Sequence, residues 1–223
     1  MTESAERGQD ASKAAEPVTT SVVVPIYRGG EAIDELVLRI ESTLSQRGGR
    51  FEVILVDDGS PDDSWAAIVR AAERKPFVRG VKLARNFGQQ ISVSAGIAMT
   101  SGQNVIVMDG DLQNPPEALP QILDRLDAGD DLVYTVSKVR NNRASELTSR
   151  IFWFVLSRML RVDIVTNQLM MRGMSRRFVD KYNAYPELTR TVAGITRDIG
   201  FRQSVLEVAN NRRRSGRGRG SLF

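Results

Sequence analysis

The stretch VIVMDGDLQNPPE (residues 105–117) is an apolar run that stops at two aspartates separated by one glycine. At a strand end, Asp109 and Asp111 can converge if Gly110 permits a tight backbone path. Two unpaired carboxylates repel each other, and a divalent cation removes that conflict. A set of oxygen ligands suits Mg2+ or Mn2+ better than Zn2+, and Gln113 is able to add an oxygen or to position one. Asp-Gly is also a common turn signal, so the tripeptide alone leaves an ordinary turn open.

A second acidic stretch, VDDGSPDDS (56–64), closes another apolar run. Ser60 or Asp62 can cap a following helix. That does not account for Asp57, which continues an apolar strand and is costly to bury without a partner. A carboxylate there can accept hydrogen bonds from the imide of uracil or thymine, or from a guanine edge. In RNFGQQ (85–90), Arg85 can grip a diphosphate bidentately beside the free amides of a helix N-terminus, although a surface arginine next to an ordinary cap has the same sequence.

Two further stretches bear on membranes. IFWFVLSRML (151–160) carries Phe152, Trp153 and Phe154. It suits packing on a sheet, or an interfacial helix whose neighbours Arg143, Arg150, Arg158 and Arg161 meet headgroups. The terminal NRRRSGRGRG holds five arginines; without them the 31 basic residues fall to 26 against 27 acidic, so the body is nearly neutral and the basicity is a tail. Such a tail suits an anionic membrane surface. With no aromatic stacking platform beside it, no nucleic-acid partner is expected.

Composition narrows the chemistry. The chain has 223 residues, 41% of them hydrophobic, enough for one sizeable domain. It has no cysteine and no histidine, which excludes disulfides, thiolate metal sites, a cysteine nucleophile and a histidine base. The polar residues 1–17 read as a disordered lead without a signal-peptide core. No run of about 18 apolar residues is present to span a bilayer.

The elements that must position these residues follow from periodicity. Residues 20–27, 51–60, 77–84 and 104–111 read as strands. Residues 31–46, 62–74 and 88–100 have helical spacing, as in Ile33, Leu36, Val37 and Ile40. Strands about 26 residues apart with a helix between them predict a parallel, doubly wound α/β sheet. Ligands on such sheets bind beyond the carboxyl ends of the strands, where Pro25 to Arg28, Asp57 to Ser60, Arg85 to Gly88 and Asp109 to Gln113 all fall. A helix at 117–128, a strand at 131–140, helices at 145–161 and 175–184, and a last strand at 203–209 complete the expectation.

Taken together, VVVPIY, VDDGSPDDS, RNFGQQISVSAGI and MDGDLQNPPE resemble, in order and spacing, the nucleotide-sugar domain of family 2 inverting glycosyltransferases. The resemblance is to the branch of dolichyl-phosphate mannose synthase and bacterial polyprenyl-phosphate glycosyltransferases, whose usual DADLQ-P-PE is close to DGDLQNPPE. It implies a GT-A fold: a Rossmann-like, mostly parallel twisted sheet flanked by helices, with a helical acceptor-side C-terminal part. By the same resemblance, Pro25, Tyr27, Asp57 and Asp58 hold the base and ribose, with Arg85 nearby. Asp109 serves the ribose and diphosphate, and Asp111 and Gln113, with Asp109, hold Mg2+ or Mn2+. The reaction implied is a single in-line displacement at the anomeric carbon of a nucleotide-diphosphate sugar.

Two departures from the family pattern bear on the acceptor. The usual YNE is YRGG here, so an acidic donor contact is lost or passes to Glu31. The segment TNQLMMRGMSRR replaces a pattern like GDFRL, and no carboxylate occurs from 164 to 179. A polyprenyl monophosphate, with a second pKa near 6, is largely dianionic at neutral pH and needs no base. Arg172, Arg176 and Arg177 are then expected to bind its phosphate, with Asp109, Asp111 and Arg172 forming the catalytic set. A sugar-hydroxyl acceptor on a lipid-linked or soluble glycan requires a base, for which Asp163, Glu187 and Asp198 are candidates. A non-catalytic nucleotide-sugar-binding module is the alternative of another class.

The expected organisation is a lead (1–17), a glycosyltransferase domain (18–210) with its nucleotide-sugar half at about 18–120 and acceptor half at about 121–210, and a basic tail (211–223). Relatives of this branch often continue into transmembrane helices after a basic segment. This chain ends at such a point, so the expectation is either a trimmed chain or a peripheral enzyme at the cytoplasmic face of the membrane, anchored by its tail and serving glycan or cell-envelope synthesis. A homo-oligomer is compatible with either.

Overall fold

The structure, a computed structural model, describes residues 17–137, 168–185 and 200–208. Strands β1 (Val18–Ile26), β2 (Arg50–Asp57), β3 (Val78–Lys82) and β4 (Asn104–Val107) alternate with helices α1 (Ile33–Arg47), α2 (Ser64–Arg74) and α3 (Gln89–Ala98). Helix α4 (Leu119–Asp127), strands β5 (Leu132–Ser137) and β6 (Gln168–Ser175), helix α5 (Arg176–Ala184) and strand β7 (Gln203–Val208) follow. The seven strands form one sheet in the order β3-β2-β1-β4-β6-β5-β7. Every neighbouring pair is parallel except those made by β6, which runs antiparallel to β4 and β5.

Both faces of the sheet are covered, and this explains the unbroken apolar runs of its central strands. Val22, Val24 and Ile26 of β1 face a core shared with α1, α2 and α4; Val23 faces the opposite core with Val93 and Ile97 of α3 and Phe178, Val179 and Tyr182 of α5. Helix α1 meets the first core through Ile33, Leu36, Val37, Ile40 and Leu44, the 3–4 residue spacing of one helical stripe. On the second face Gly96 is a point of close approach. A Cβ there would lie 2.3 Å from Val23 Cγ1 and 2.9 Å from Val56 Cγ2.

Two expectations change. Strand β6 joins the sheet where no strand was expected, whereas β7 occupies the stretch at 203–209 read as a last strand. Strand β4 ends at Val107, before the aspartates. The helix expected at 145–161 with its aromatic cluster, the candidate bases Asp163, Glu187 and Asp198, and the basic tail lie outside the described residues. Among the described residues no helix is long and apolar enough to cross a membrane.

Gly96→Val gains helix propensity of well under 1 kcal/mol but forces two methyls into Val23 and Val56. The expected net loss is about 2–3 kcal/mol, read as a lower urea midpoint with an unchanged slope.

Candidate active site

Parallel pairing sends the carboxyl ends of β1 to β4 to one edge, and the loops that follow them converge there. A cleft of about 940 Å³ opens at this edge, within the range of small-molecule sites. Its walls include Pro25 near the end of β1, Tyr27 and Arg28 after it, Asp58 after β2, Gly88 and Gln89 at the start of α3, and Asp109 and Asp111 after β4. Asp57, Arg85, Gln113 and Arg172 are not among its lining residues.

The loops are tied to one another. Asp58, 3% exposed, accepts the backbone N–H of Phe87 at 2.8 Å and of Gly88 at 3.0 Å, so it clamps the loop before α3. Gly59 sits against that loop with φ +65°, and a Cβ there would lie 2.4 Å from the Arg85 carbonyl carbon. Only glycine fits on both counts. Arg28, with φ 55°, takes a left-handed conformation uncommon outside glycine. Its N–H donates to Ser60 Oγ at 3.1 Å, and its guanidinium stands 5.3 Å from the ring centre of Tyr27, which is 47% exposed.

Asp57 is fully buried: Oδ1 accepts the Ser60 N–H at 3.1 Å, and Oδ2 has no partner among the described residues. Arg85 stacks 4.2 Å over the ring centre of Phe87.

Asp109 is held on both carboxylate oxygens. Gln89 Nε2 donates to Oδ1 at 2.9 Å, and Asn114 Nδ2 donates to Oδ2 at 3.0 Å. Burial and the neighbouring charge of Asp111 push its pKa up to about 6, against the pull of Asn114, Gln89 and Arg172. Asp111 is more exposed, and its Oδ1 accepts the Gln113 N–H at 3.1 Å. Leu112 between them is left-handed at φ 61°. The side-chain Nε2 of Gln113 is buried without a partner among the described residues.

The residues present fit a hard divalent cation. The pair consists of oxygen ligands, its like charges raise the cost of ionising Asp109, and a positive ion relieves that cost. Among the described residues no group of three or more His, Cys, Asp or Glu forms a metal cage. Mg2+-type sites commonly take one or two carboxylates and complete their shell with water and substrate phosphates.

The three arginines expected to act together are separated. Arg172 pairs with Val107 at the carboxyl end of β4, close enough to Asp109 for their charges to interact. It is half-buried on the α3/α5 face; burial lowers its pKa, while Tyr134, Tyr182 and Asp109 oppose the shift. Asn104, at the other end of β4, pairs with Ser175, so Arg176 and Arg177 leave from the opposite edge of the sheet. Arg176 donates to the Gly102 carbonyl at 2.9 Å, and Arg177 pairs with buried Asp131. The expectation that Arg176 and Arg177 bind an acceptor beside Asp109 is therefore corrected.

Gln89 and Asn114, which hold Asp109, are not among the residues expected from the sequence. The available signal was position: one opens the helix after the third strand and the other follows DGDLQ, both at the ligand-binding edge.

The glycosyl transferase family 2 model matches residues 21–199. The chain belongs to that family. An uncharacterized glycosyltransferase of Synechocystis sp. is 31% identical over 85% of this chain and 60% of its own length. An undecaprenyl-phosphate 4-deoxy-4-formamido-L-arabinose transferase of Pseudomonas syringae pv. syringae is 39% identical over 72% of this chain and 48% of its own. This family 2 glycosyltransferase thus spans about half to 60% of the length of these curated relatives.

Glucosyl-3-phosphoglycerate synthase of Mycobacterium tuberculosis, solved with Mn2+, uridine diphosphate and glucosyl-3-phosphoglycerate, superposes with TM-score 0.61 at 23% identity, covering 90% of this chain and 74% of that one. A mannosyltransferase of Pyrobaculum calidifontis solved with GDP-mannose and Mn2+ gives TM-score 0.60 at 22% identity, over 88% of this chain and 58% of that one. The sheet is thus that of the GT-A glycosyltransferases.

The Asp109 shift has a defined pH signature. Its folded pKa, about 6, lies above the ordinary 3.8, so without metal this group lowers stability as pH rises from about 4 through 6. Asp109→Asn is expected to be more stable than the parent at pH 7.5 in EDTA by about 1–3 kcal/mol. The advantage should vanish at pH 4, as read by urea unfolding at both pH values.

Proposed function

We propose that this glycosyltransferase transfers a sugar, with inversion and with Mg2+ or Mn2+, from a nucleotide-diphosphate sugar to a polyprenyl phosphate at a membrane surface. The observation that carries the reading is the pair Asp109 and Asp111 at the mouth of the 940 Å³ cleft, with the Arg172 cation near Asp109. The activity for which the undecaprenyl-phosphate relatives are named supports the acceptor class.

In this reading Pro25, Tyr27, Asp57 and Asp58 receive the nucleoside. The buried Oδ2 of Asp57 has no partner among the described residues and would accept a base N–H once the loop after β2 shifts to expose it. Arg85 reaches the diphosphate by leaving its stack on Phe87. Asp111 and Gln113, with Asp109, hold the divalent cation. When bound, that ion neutralises the charge building on the departing diphosphate.

Arg172 holds the acceptor phosphate so that one oxygen faces the anomeric carbon. That oxygen forms the new C–O bond as the bond to the diphosphate breaks, and the nucleotide leaves with the electron pair. The dianionic acceptor carries no proton to remove, which agrees with the lack of a carboxylate between 164 and 179. Positioning then supplies much of the rate. The arginine tail would hold the enzyme to anionic lipid, each charge adding about 1 kcal/mol.

The test uses donors chosen by metal-dependent thermal stabilisation across a panel of nucleotide sugars, then transfer to undecaprenyl phosphate in detergent. A product that extracts into organic solvent and releases sugar in mild acid is expected. Transfer only to sugar hydroxyls would overturn the acceptor class, and metal-dependent donor binding without turnover on any acceptor would leave a binding module. Asp111→Ala should lower kcat at least 100-fold, and robust transfer by it would overturn the metal role. Arg172→Ala should raise KM for the lipid phosphate with a smaller change in KM for the donor.

A further inference from the structure

Asp109 is held by two carboxamides from different parts of the chain. Gln89 comes from the first turn of α3, and Asn114 from the loop after β4; each donates one N–H to a different oxygen, at 2.9 and 3.0 Å. One bond would leave the carboxylate free to turn about its Cβ–Cγ axis, whereas one on each oxygen fixes its plane. Each oxygen has a second lone pair, so a carboxylate held this way can still accept a cation or a ligand hydroxyl.

The two donors are not equivalent. Asn114 is 2% exposed and its own Oδ1 is buried without a partner among the described residues. A carboxamide in that position keeps an unsatisfied oxygen while its nitrogen serves Asp109. An ionised carboxylate only accepts, which sets the nitrogen toward it. Gln89 is exposed and lines the cleft, whereas Asn114 is outside its lining. A ligand entering the cleft meets Gln89 and leaves Asn114 undisturbed.

We propose that Asn114 and Gln89 are positioning residues that fix the Asp109 carboxylate plane before donor and metal arrive, Asn114 permanently and Gln89 as a partner that yields to the incoming ligand. The inference rests on the metal-dependent reading above and adds to it a preformed orientation, set by amides. Positioning partners of metal ligands commonly change metal affinity 10–100-fold when removed.

The experiment uses the full chain and four proteins: the parent, Gln89→Ala, Asn114→Ser and Asn114→Leu. Metal-free crystals report the Asp109 orientation, electron paramagnetic resonance reports Mn2+ affinity with UDP or GDP present, and urea unfolding reports folding. Asn114→Ser should turn the Asp109 carboxylate out of its present plane and weaken Mn2+ about 10–100-fold. Asn114→Leu, of similar shape but unable to donate, should weaken it at least as much while remaining folded. Gln89→Ala should weaken Mn2+ only about 2–5-fold with an unchanged unfolding midpoint, because Asn114 still holds the other oxygen.

An unchanged Asp109 orientation in the folded Asn114 variants, or Mn2+ affinities within twofold of the parent, would overturn the proposal. A greater loss in Gln89→Ala than in Asn114→Ser would overturn the division between permanent and yielding partner. If the parent itself binds no Mn2+, the metal reading falls, and the crystal orientations still decide for or against the amide clamp.

Discussion

Two like charges one residue apart, at the rim of a sheet buried on both faces, impose the constraint around which this edge of the protein is organised. Burial and Asp111 both raise the cost of ionising Asp109, and in a medium less polar than water that cost is substantial. Amides on both Asp109 oxygens, and the charge of Arg172, offset part of it. What remains favours a cation. The backbone has adapted to the same demand: Leu112 takes a left-handed conformation so that the chain can turn sharply past Asp111, an arrangement of the kind that surrounding structure must hold in place.

The one antiparallel strand in the described sheet determines which of Arg172, Arg176 and Arg177 lies near Asp109. Because β6 runs against β4, Arg172 arrives at the carboxyl end of β4 while Ser175 lies at the amino end. At about 3.3 Å per residue, three residues of strand separate these positions by about 10 Å, and α5 then carries Arg176 and Arg177 away from the cleft. Their guanidinium groups perform a different task. Arg176 closes on the Gly102 carbonyl, and Arg177 pairs with buried Asp131, which also accepts from Ser175 Oγ and the Arg202 N–H. These contacts join α5, β5 and the start of β7 at the far edge.

The β-α alternation, the strand ends and the convergence of four loops were legible in the sequence because each depends on local periodicity and on the rule that parallel strands share a carboxyl edge. The strand at 168–175 was not. QLMMRGMS has neither β-branched residues nor clean alternation, and it is a strand because β4 and β5 offer it ladders on both sides, a tertiary effect that outweighs propensity. Missing it left the three arginines on one imagined surface. Gln89 and Asn114 escaped for a different reason: a carboxamide has no charge to draw notice, and its importance depends on a partner 20 or 5 residues away.

The individually weak motifs gain their meaning from one connected set of contacts. The carboxylate of Asp58 grips the N–H groups of Phe87 and Gly88, fixing the residues that open α3. The next residue, Gln89, extends from that fixed point to Asp109. VDDGS, RNFGQ and DGDLQN are therefore successive parts of one hydrogen-bonded unit across the ends of β2, β3 and β4. Each segment is an ordinary turn or cap by composition. Their order along the chain carries information because moving any one would break a bond on which the next depends. A chain without histidine or cysteine has carboxylates, amides and arginine to work with at this edge, and this unit holds carboxylate and amide groups in fixed relation there.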